Sequence, residues 1–472
     1  MTSLLLALAL AHAHETPAHV QALRERVDWQ VVGDEAVGWL SDYLAIDTVA
    51  PPGNERDGAV FLQGILEAEG IQTRLIEHGE NRASLIGWLR GDGTAPPLCL
   101  LSHIDVVPSE LEHWTHGPLS GEVVDGQIWG RGALDMKGMG IVELGAMVQL
   151  ARLKAPLARD VVLLAVADEE LDGLGIRTLV DQHWGEIGCS HLINEGGIGI
   201  RDALVQGQTV HAISVAERGV LWLRLIAEGV VGHGSTIAEG EAPARLLEAM
   251  ERVERRYRPK PHIHPAFYRL FRRVGEHHGG LVGALIKTPS GVRTFVKPRL
   301  LAEGATAAAL TDTLHLTGMG GASSVNVVPS EVWAQYDGRL LPGTDPQVQL
   351  ARLQALIADL PGVRWEVLDA RAGNESPMDD PFFDRIAHYA EEDRADAAAG
   401  PVLSVGFTDS IFVRPLGVHA YGYVPFIVTQ DEAKTMHGHD ERVSVDNVRE
   451  GVRRMFSIVL DFAGRVELPA GL

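Results

Sequence analysis

Cysteine is scarce in this chain: 472 residues carry two, Cys99 and Cys189. Two cysteines cannot build a disulfide framework, and both sit in or beside apolar runs, so buried free thiols are expected. Basic residues are in deficit, 41 against 63 acidic, for a formal net charge of −22. That balance argues against nucleic acid or an anionic membrane as partner, because both demand a basic face. It still permits a local arginine that binds an anionic substrate. No apolar run approaches the ~20 residues of a membrane span. There is no internal repeat, no long low-complexity linker and no glycine-rich phosphate cradle. Residues 4–11 form a short apolar stretch, and Ala11-His12-Ala13 has the small-x-small form of a leader-peptidase site. The three residues before that stretch carry no Lys or Arg. Export, periplasmic or secreted, is favoured over a cytoplasmic location, with residues 1–30 read as leader and N-terminal extension.

The apolar content is 46%, that of a globular protein. Four short apolar runs have strand length: 84–88, 97–102, 161–167 and 192–194. Between them lie helical patterns. Residues 55–69 place Val60, Phe61, Ile65 and Leu66 near helix spacing. Residues 139–153 place Ile141, Leu144, Met147, Val148 and Leu150 on one face, and 173–183 is a third such segment. Strands alternating with helices predict an α/β fold, a mostly parallel sheet with helices on both faces. After residue 213 the pattern changes. A long half-buried strand, 220–228, is followed by a helix at 242–257, a stretch rich in His, Arg and Gly, and strands at 314–317 and 331–340. This reads as an inserted α+β domain over 214–342. The α/β pattern resumes with a helix near 381–392 and closes with 444–462, where Ser444 is a good N-cap. The sheet domain is thus expected to be discontinuous, 31–213 and 343–472.

The chemistry gathers where the apolar runs stop. The run at 97–102 leads into His103 and Asp105, two positions apart and so on one side of an extended chain. A carboxylate there can fix one ring nitrogen and leave the other for a metal. The run at 161–167 ends in Asp168-Glu169-Glu170, the run HLIN ends in Glu195, and GRGALDMKG places Asp135 just before a helix. In open α/β sheets ligands gather at the carboxyl ends of strands. A single acid there is a helix cap. Several converging carboxylates repel unless a cation sits among them. The number of acids suggests two metals, each with a histidine; His103 is one, and the second is His437 or its competitor His439 in TMHGHDER. Local physics does not separate Glu169 from Glu170, or His437 from His439.

The set SHIDVVP, GRGALDMKG, ADEELDG, INEGG, GHGS, NVVP and MHGHDER resembles the co-catalytic zinc amidohydrolases. That family includes aminoacylase, acetylornithine deacetylase, succinyl-diaminopimelate desuccinylase, glutamate carboxypeptidase and carboxypeptidase S. The likeness spans roughly residues 35 to 463 and points toward the carboxypeptidase S branch. The resemblance implies a zinc-peptidase-like fold whose inserted domain serves as lid and dimerisation domain. It implies two Zn2+ per subunit, with Co2+ or Mn2+ able to occupy the same ligands. His103, Asp135, Glu170, Glu195 and His437 would be the metal ligands, Asp135 bridging and Asp105 orienting His103. Glu169 would be the general base. His233 in GHGS would reach the other subunit's site and hold the oxyanion, making a homodimer. Asn326 and Arg339 would contact the substrate, and Gly406, Thr408 and Asp409 would line its pocket. His439 would be a bystander. The histidines at 262, 264, 277 and 278 are expected at the surface.

The function so implied is hydrolysis of an amide or peptide bond next to a free carboxylate, in a small peptide or an N-acyl amino acid. Two other classes compete: a non-catalytic binding protein that kept the fold, and a two-metal phosphoester hydrolase.

Overall fold

Eight strands form the main sheet: β1 (Gln72–Gly79), β2 (Arg82–Leu89), β3 (Leu98–His103), β4 (Val161–Val166), β5 (His191–Arg201), β6 (Thr209–Glu217), β7 (Ala397–Ser404) and β8 (His419–Val428). Their order across the sheet is β1-β2-β4-β3-β5-β8-β6-β7. β3 runs parallel to both β4 and β5, and β5 parallel to β8, whereas β1 and β2 form an antiparallel edge. The structure is a computed structural model describing residues 15–321, 324–392, 394–404 and 406–465. The leader-peptide expectation rests on residues outside that set.

β3 and β4 are buried at every position. This is why they read as unbroken apolar runs rather than alternating ones: a parallel strand is covered on both faces. Five helices flank the sheet or carry residues beside the site: α1 (Trp29–Leu44), α2 (Glu55–Ala68), α3 (Lys137–Arg152), α4 (Pro381–Glu391) and α5 (Val445–Ala463). α3 is buried from Lys137 to Leu150, and it packs against α5 and the sheet. The predicted cap of α5 is present, the Ser444 hydroxyl accepting from Asn447 N–H at 3.1 Å.

The chain divides into two compact units. The first takes residues up to Ile213, Met378–Gly400 and those from Val418 on; the second takes Ser214–Pro377 and Pro401–Gly417. The second unit holds an antiparallel sheet in the order Thr313–Gly320, Glu331–Leu340, Gly219–Glu228, Val363–Arg371. Its core gathers Leu221, Leu223, Leu225, Ala249, Leu353 and Ile357. The expected return to the first domain at 343 is therefore too early. Helix Pro346–Ile357 carries Leu350, Leu353 and Ile357 into the second unit's core, and strand Val363–Arg371 extends its sheet.

Two further expectations are corrected. Cys99 and Cys189 are not free thiols but a disulfide. β3 and β5 lie side by side with Cys99 opposite Leu192, so the chain entering β5 brings Cys189 to within 5.8 Å, Cα to Cα. Of the four histidines expected at the surface, His264 is buried: its Nε2 pairs with Glu375 at 3.0 Å, and its Nδ1 accepts from Ala266 N–H.

Candidate metal centre

His103 closes β3, Glu169 and Glu170 follow β4, and Glu195 lies within β5; Asp135 stands in the turn before α3 and His437 in the loop before α5. All six belong to the first unit. His103 is buried, and its Nδ1–H donates to the carbonyl oxygen of Asp105 at 2.8 Å. That bond leaves Nε2 facing Asp135 Oδ1 at 3.2 Å and Glu195 Oε1 at 3.9 Å. The Asp105 carboxylate was expected to orient the imidazole, but it lies 3.7 Å from Nδ1. Its two oxygens instead accept the backbone N–H groups of Glu169 and Glu170, each at 3.1 Å. Asp105 thus fixes the ring with its carbonyl and the two glutamates with its carboxylate.

On the other side, His437 Nε2 lies 2.9 Å from Glu170 Oε1 and 3.2 Å from Asp135 Oδ2. Asp135 therefore turns one oxygen to each imidazole. Two sets of three groups converge within 4.8 Å, His103 with Glu169 and Glu195, and His103 with Asp135 and Glu170. His439 is turned elsewhere, toward Glu110 at 3.8 Å and the ring of His113.

The electrostatics of this cluster call for added positive charge. Burial opposes a charge on His103, yet Asp135, Asp105, Glu169 and Glu195 together raise its pKa well above the usual value. The hydrogen bonds to Asp135 and Glu170 push His437 up to about 10. Burial raises Asp105 to about 6, although His103 and the Glu170 N–H work against it. Carboxylates around two imidazoles whose Nε2 atoms face opposite oxygens of one aspartate are a donor set that suits divalent cations, which would replace those protons. The residues present fit a pair of metal ions.

Sequence reasoning missed what holds this cluster in place. Glu441 is fully buried, and its Oε1 accepts from the N–H groups of Gly132, Leu134 and Asp135 at 3.1, 2.8 and 3.1 Å. Its Oε2 pairs with Arg131 at 2.6 Å. One carboxylate therefore shapes the turn that presents Asp135. Lys137, also buried, donates to the carbonyls of Tyr43 and Ile46 where α1 ends. Arg82 ties Glu55 to Asp168, at 2.7 and 2.5 Å, next to the glutamate pair. Glu441 was visible only as part of a motif. A buried arginine such as Arg131 leaves no local signal.

The remaining candidates lie in the second unit, apart from these groups in sequence. His233 and Asn326 meet there: His233 pairs with Val327 across a two-residue ladder, and Gly234 N–H donates to Asn326 O at 2.9 Å. Arg339 is not joined to them. Its Nε donates to Asp337 at 2.8 Å and its guanidinium lies 5.6 Å from the Trp222 ring centre. Thr408 gives both its N–H and its hydroxyl to Glu217, at 2.9 and 2.8 Å, and Arg414 pairs with the same buried carboxylate. Gly406 sits in an exposed bend nearby in sequence.

The model of Peptidase family M20/M25/M40 matches residues 99–461. Human N-fatty-acyl-amino acid synthase/hydrolase PM20D1 is 26% identical over 399 residues, covering 82% of this chain and 79% of its own. Aminoacylase-1 of Sus scrofa is 26% identical over 416 residues, covering 86% and 90%. Among solved structures, the M20 family metallo-carboxypeptidase Sso-CP2 from Sulfolobus solfataricus superposes with a TM-score of 0.66 at 17% identity, over 90% of this chain and 98% of that one. A dinuclear metal binding peptidase of the same family, YXEP of Bacillus subtilis, gives 0.59 at 12% identity, over 91% and 99%. With the family model spanning most of the chain and the histidines and acids converging on one another, the protein belongs to peptidase family M20/M25/M40 and is a hydrolase of that metal-dependent family.

Proposed function

We propose that this protein cleaves an amide bond next to a free carboxylate, in small peptides or N-acyl amino acids, with a pair of zinc ions. The observation that carries the reading is Asp135 set between His103 and His437, with Glu170 on one side and Glu195 on the other. Nitrogen and carboxylate oxygen donors suit zinc, and cobalt or manganese accept the same set. When bound, the two cations would polarise the scissile carbonyl and acidify a water toward neutral pH. Glu169 is the base in this scheme: Asp105 fixes its backbone, and its side chain is nearly buried beside His103. It takes a proton from the attacking water and returns it to the leaving nitrogen. His233 steadies the oxyanion of a partner subunit's site. Asn326 and Arg339 hold the substrate carboxylate; Arg339 must then give up part of its pairing with Asp337. Gly406 and Thr408 line the pocket, with Thr408 fixed by Glu217.

The relatives named as N-fatty-acyl-amino acid synthase/hydrolase and aminoacylase favour N-acyl amino acids as the first substrates to test. The Cys99–Cys189 bridge supports export, since disulfides persist in oxidising compartments.

The test is amine release from a panel of N-acyl amino acids and dipeptides, with the zinc-loaded protein beside its chelated form. Activity lost on chelation and restored by zinc is expected. Turnover of a phosphoester instead, or none of the panel with metal bound, would overturn the reading. Glu169→Gln should lower kcat by about 10²- to 10⁴-fold with the metal content unchanged.

A further inference from the structure

A second cluster of metal-ligating side chains lies at the other end of the sheet. His191 and His419 are the first residues of β5 and β8, and they are register partners in that parallel pair. His103 closes β3, so the hydrolytic centre lies at the carboxyl ends of the strands and this pair at their amino ends. Asp380, buried at the N-cap of α4, joins the two imidazoles. Its Oδ1 accepts from Phe382 N–H at 2.7 Å and is used up in capping the helix. Its Oδ2 lies 2.5 Å from His419 Nδ1 and 3.3 Å from His191 Nε2. The rings stand 5.1 Å apart, nearly perpendicular, and one ligand atom from each of the three residues falls within 4.8 Å of the others.

The surroundings are those of a built site. His191 is walled by Phe382 and Phe462, with ring centres at 5.6 and 4.7 Å, and its Nδ1 is 2.9 Å from the Ser190 hydroxyl. Without a cation, Nε2–H donates to Asp380 and Nδ1 accepts from the Ser190 hydroxyl; a bound cation would replace the Nε2 proton, and Nδ1–H would then donate to that hydroxyl, the outer partner that orients a metal-binding histidine. The His419 side chain is 36% exposed, so the cluster is open to solvent on one side. Two imidazoles and one carboxylate, with room for water, are a ligand set for a divalent transition cation.

We propose that His191, His419 and Asp380 bind a divalent transition metal, zinc being the probe, at a site separate from the hydrolytic centre. The metal clamps the amino ends of β5 and β8 to the start of α4, three segments far apart in sequence. Neither the geometry nor the metal count depends on the hydrolase reading.

The full chain is stripped with chelator, reloaded with Zn2+, freed of unbound metal by gel filtration, and its metal content measured. His419→Gln and Asp380→Asn should each bind about one zinc per chain fewer than the parent protein. Both should keep the parent's circular dichroism, which reports that they fold, and its amidase activity. Zinc added to a chain already active should raise the unfolding temperature further, and His419→Gln should lose that increment. Cobalt loading should give visible absorption that His419→Gln reduces. Equal metal content in all three proteins would overturn the proposal and leave a plain hydrogen-bonded triad. So would an unfolding temperature that zinc moves equally in parent and variant.

Discussion

At the scale of single residues, Glu441 carries more than its place in the chain suggests. It satisfies three N–H groups and the Arg131 guanidinium in a dry interior. Glu441→Ala leaves the buried Arg131 guanidinium without its carboxylate, which should cost about 3–5 kcal/mol in urea unfolding. Metal affinity should fall by about 10- to 100-fold, as for other groups that orient a ligand. A second prediction concerns protons. His437 and His103 are held above their usual pKa by neighbouring carboxylates, His437 at about 10, so the metal-free centre holds its protons more tightly than free imidazoles would. Metal must displace those protons. Zinc affinity should therefore rise with pH up to the raised pKa values, and calorimetry in buffers of different ionisation enthalpy should detect proton release. Affinity independent of pH between about 6 and 9, the window below the raised value of His437, would contradict it. The identity of the centre's groups was easier to read from the chain than their tasks. Acids and a histidine recurring at the ends of several buried runs are a strong sign, because such a gathering is costly without a partner. His103, Glu169, Glu170 and Glu195 were legible in this way, and Asp135 and His437 from their motifs. Which oxygen meets which nitrogen was not. Asp105 shows why: its carbonyl and its carboxylate do different things, and only the fold decides between them.

Among the elements, the fully apolar strands β3 and β4 and the capped helix α5 were the easiest to read. β8 was missed. Its ten residues, His419–Val428, include Pro425, and proline argues against a central strand because it cannot donate to the ladder. The structure accommodates it where the β5–β8 register shifts, between Val424 and Ile427, and there the Pro425 carbonyl accepts from Arg454. A local reading cannot anticipate a shift that belongs to two strands. The disulfide was missed for a similar reason, since it depends on β3 and β5 being neighbours. Cys99→Ser should lower stability by about 2–4 kcal/mol in guanidinium unfolding, because the bridge spans 90 residues of chain. Reductant should destabilise the parent protein by a similar amount and leave the variant unchanged.

For the whole molecule, alternation of strands and helices was enough to announce an α/β unit interrupted by a different one. The far boundary was placed too early because the inserted domain was ended at the last strand read in it, 331–340, and helix Pro346–Ile357 and strand Val363–Arg371 were not recognised. Their apolar faces belong to the second unit's core. The proposed homodimer has a direct test. Subunits carrying His233→Ala, mixed with subunits carrying Glu169→Ala, should recover part of the activity that each lacks alone. No recovery, in a mixture shown to exchange subunits by sedimentation, would argue against completion of the site by a partner.

The place of β8 between β5 and β6 has a consequence for how the protein is made. A ribosome releases residues 419–428 only after the other seven strands of the sheet have been translated, and the gap in the middle of the sheet must wait for them. Until then β5 and β6 touch only along Gly199–Arg201 and Thr209–His211, and the growing chain shows bare strand edges to its surroundings. His437 emerges later still, so a nascent chain cannot assemble its hydrolytic centre until that residue has left the ribosome.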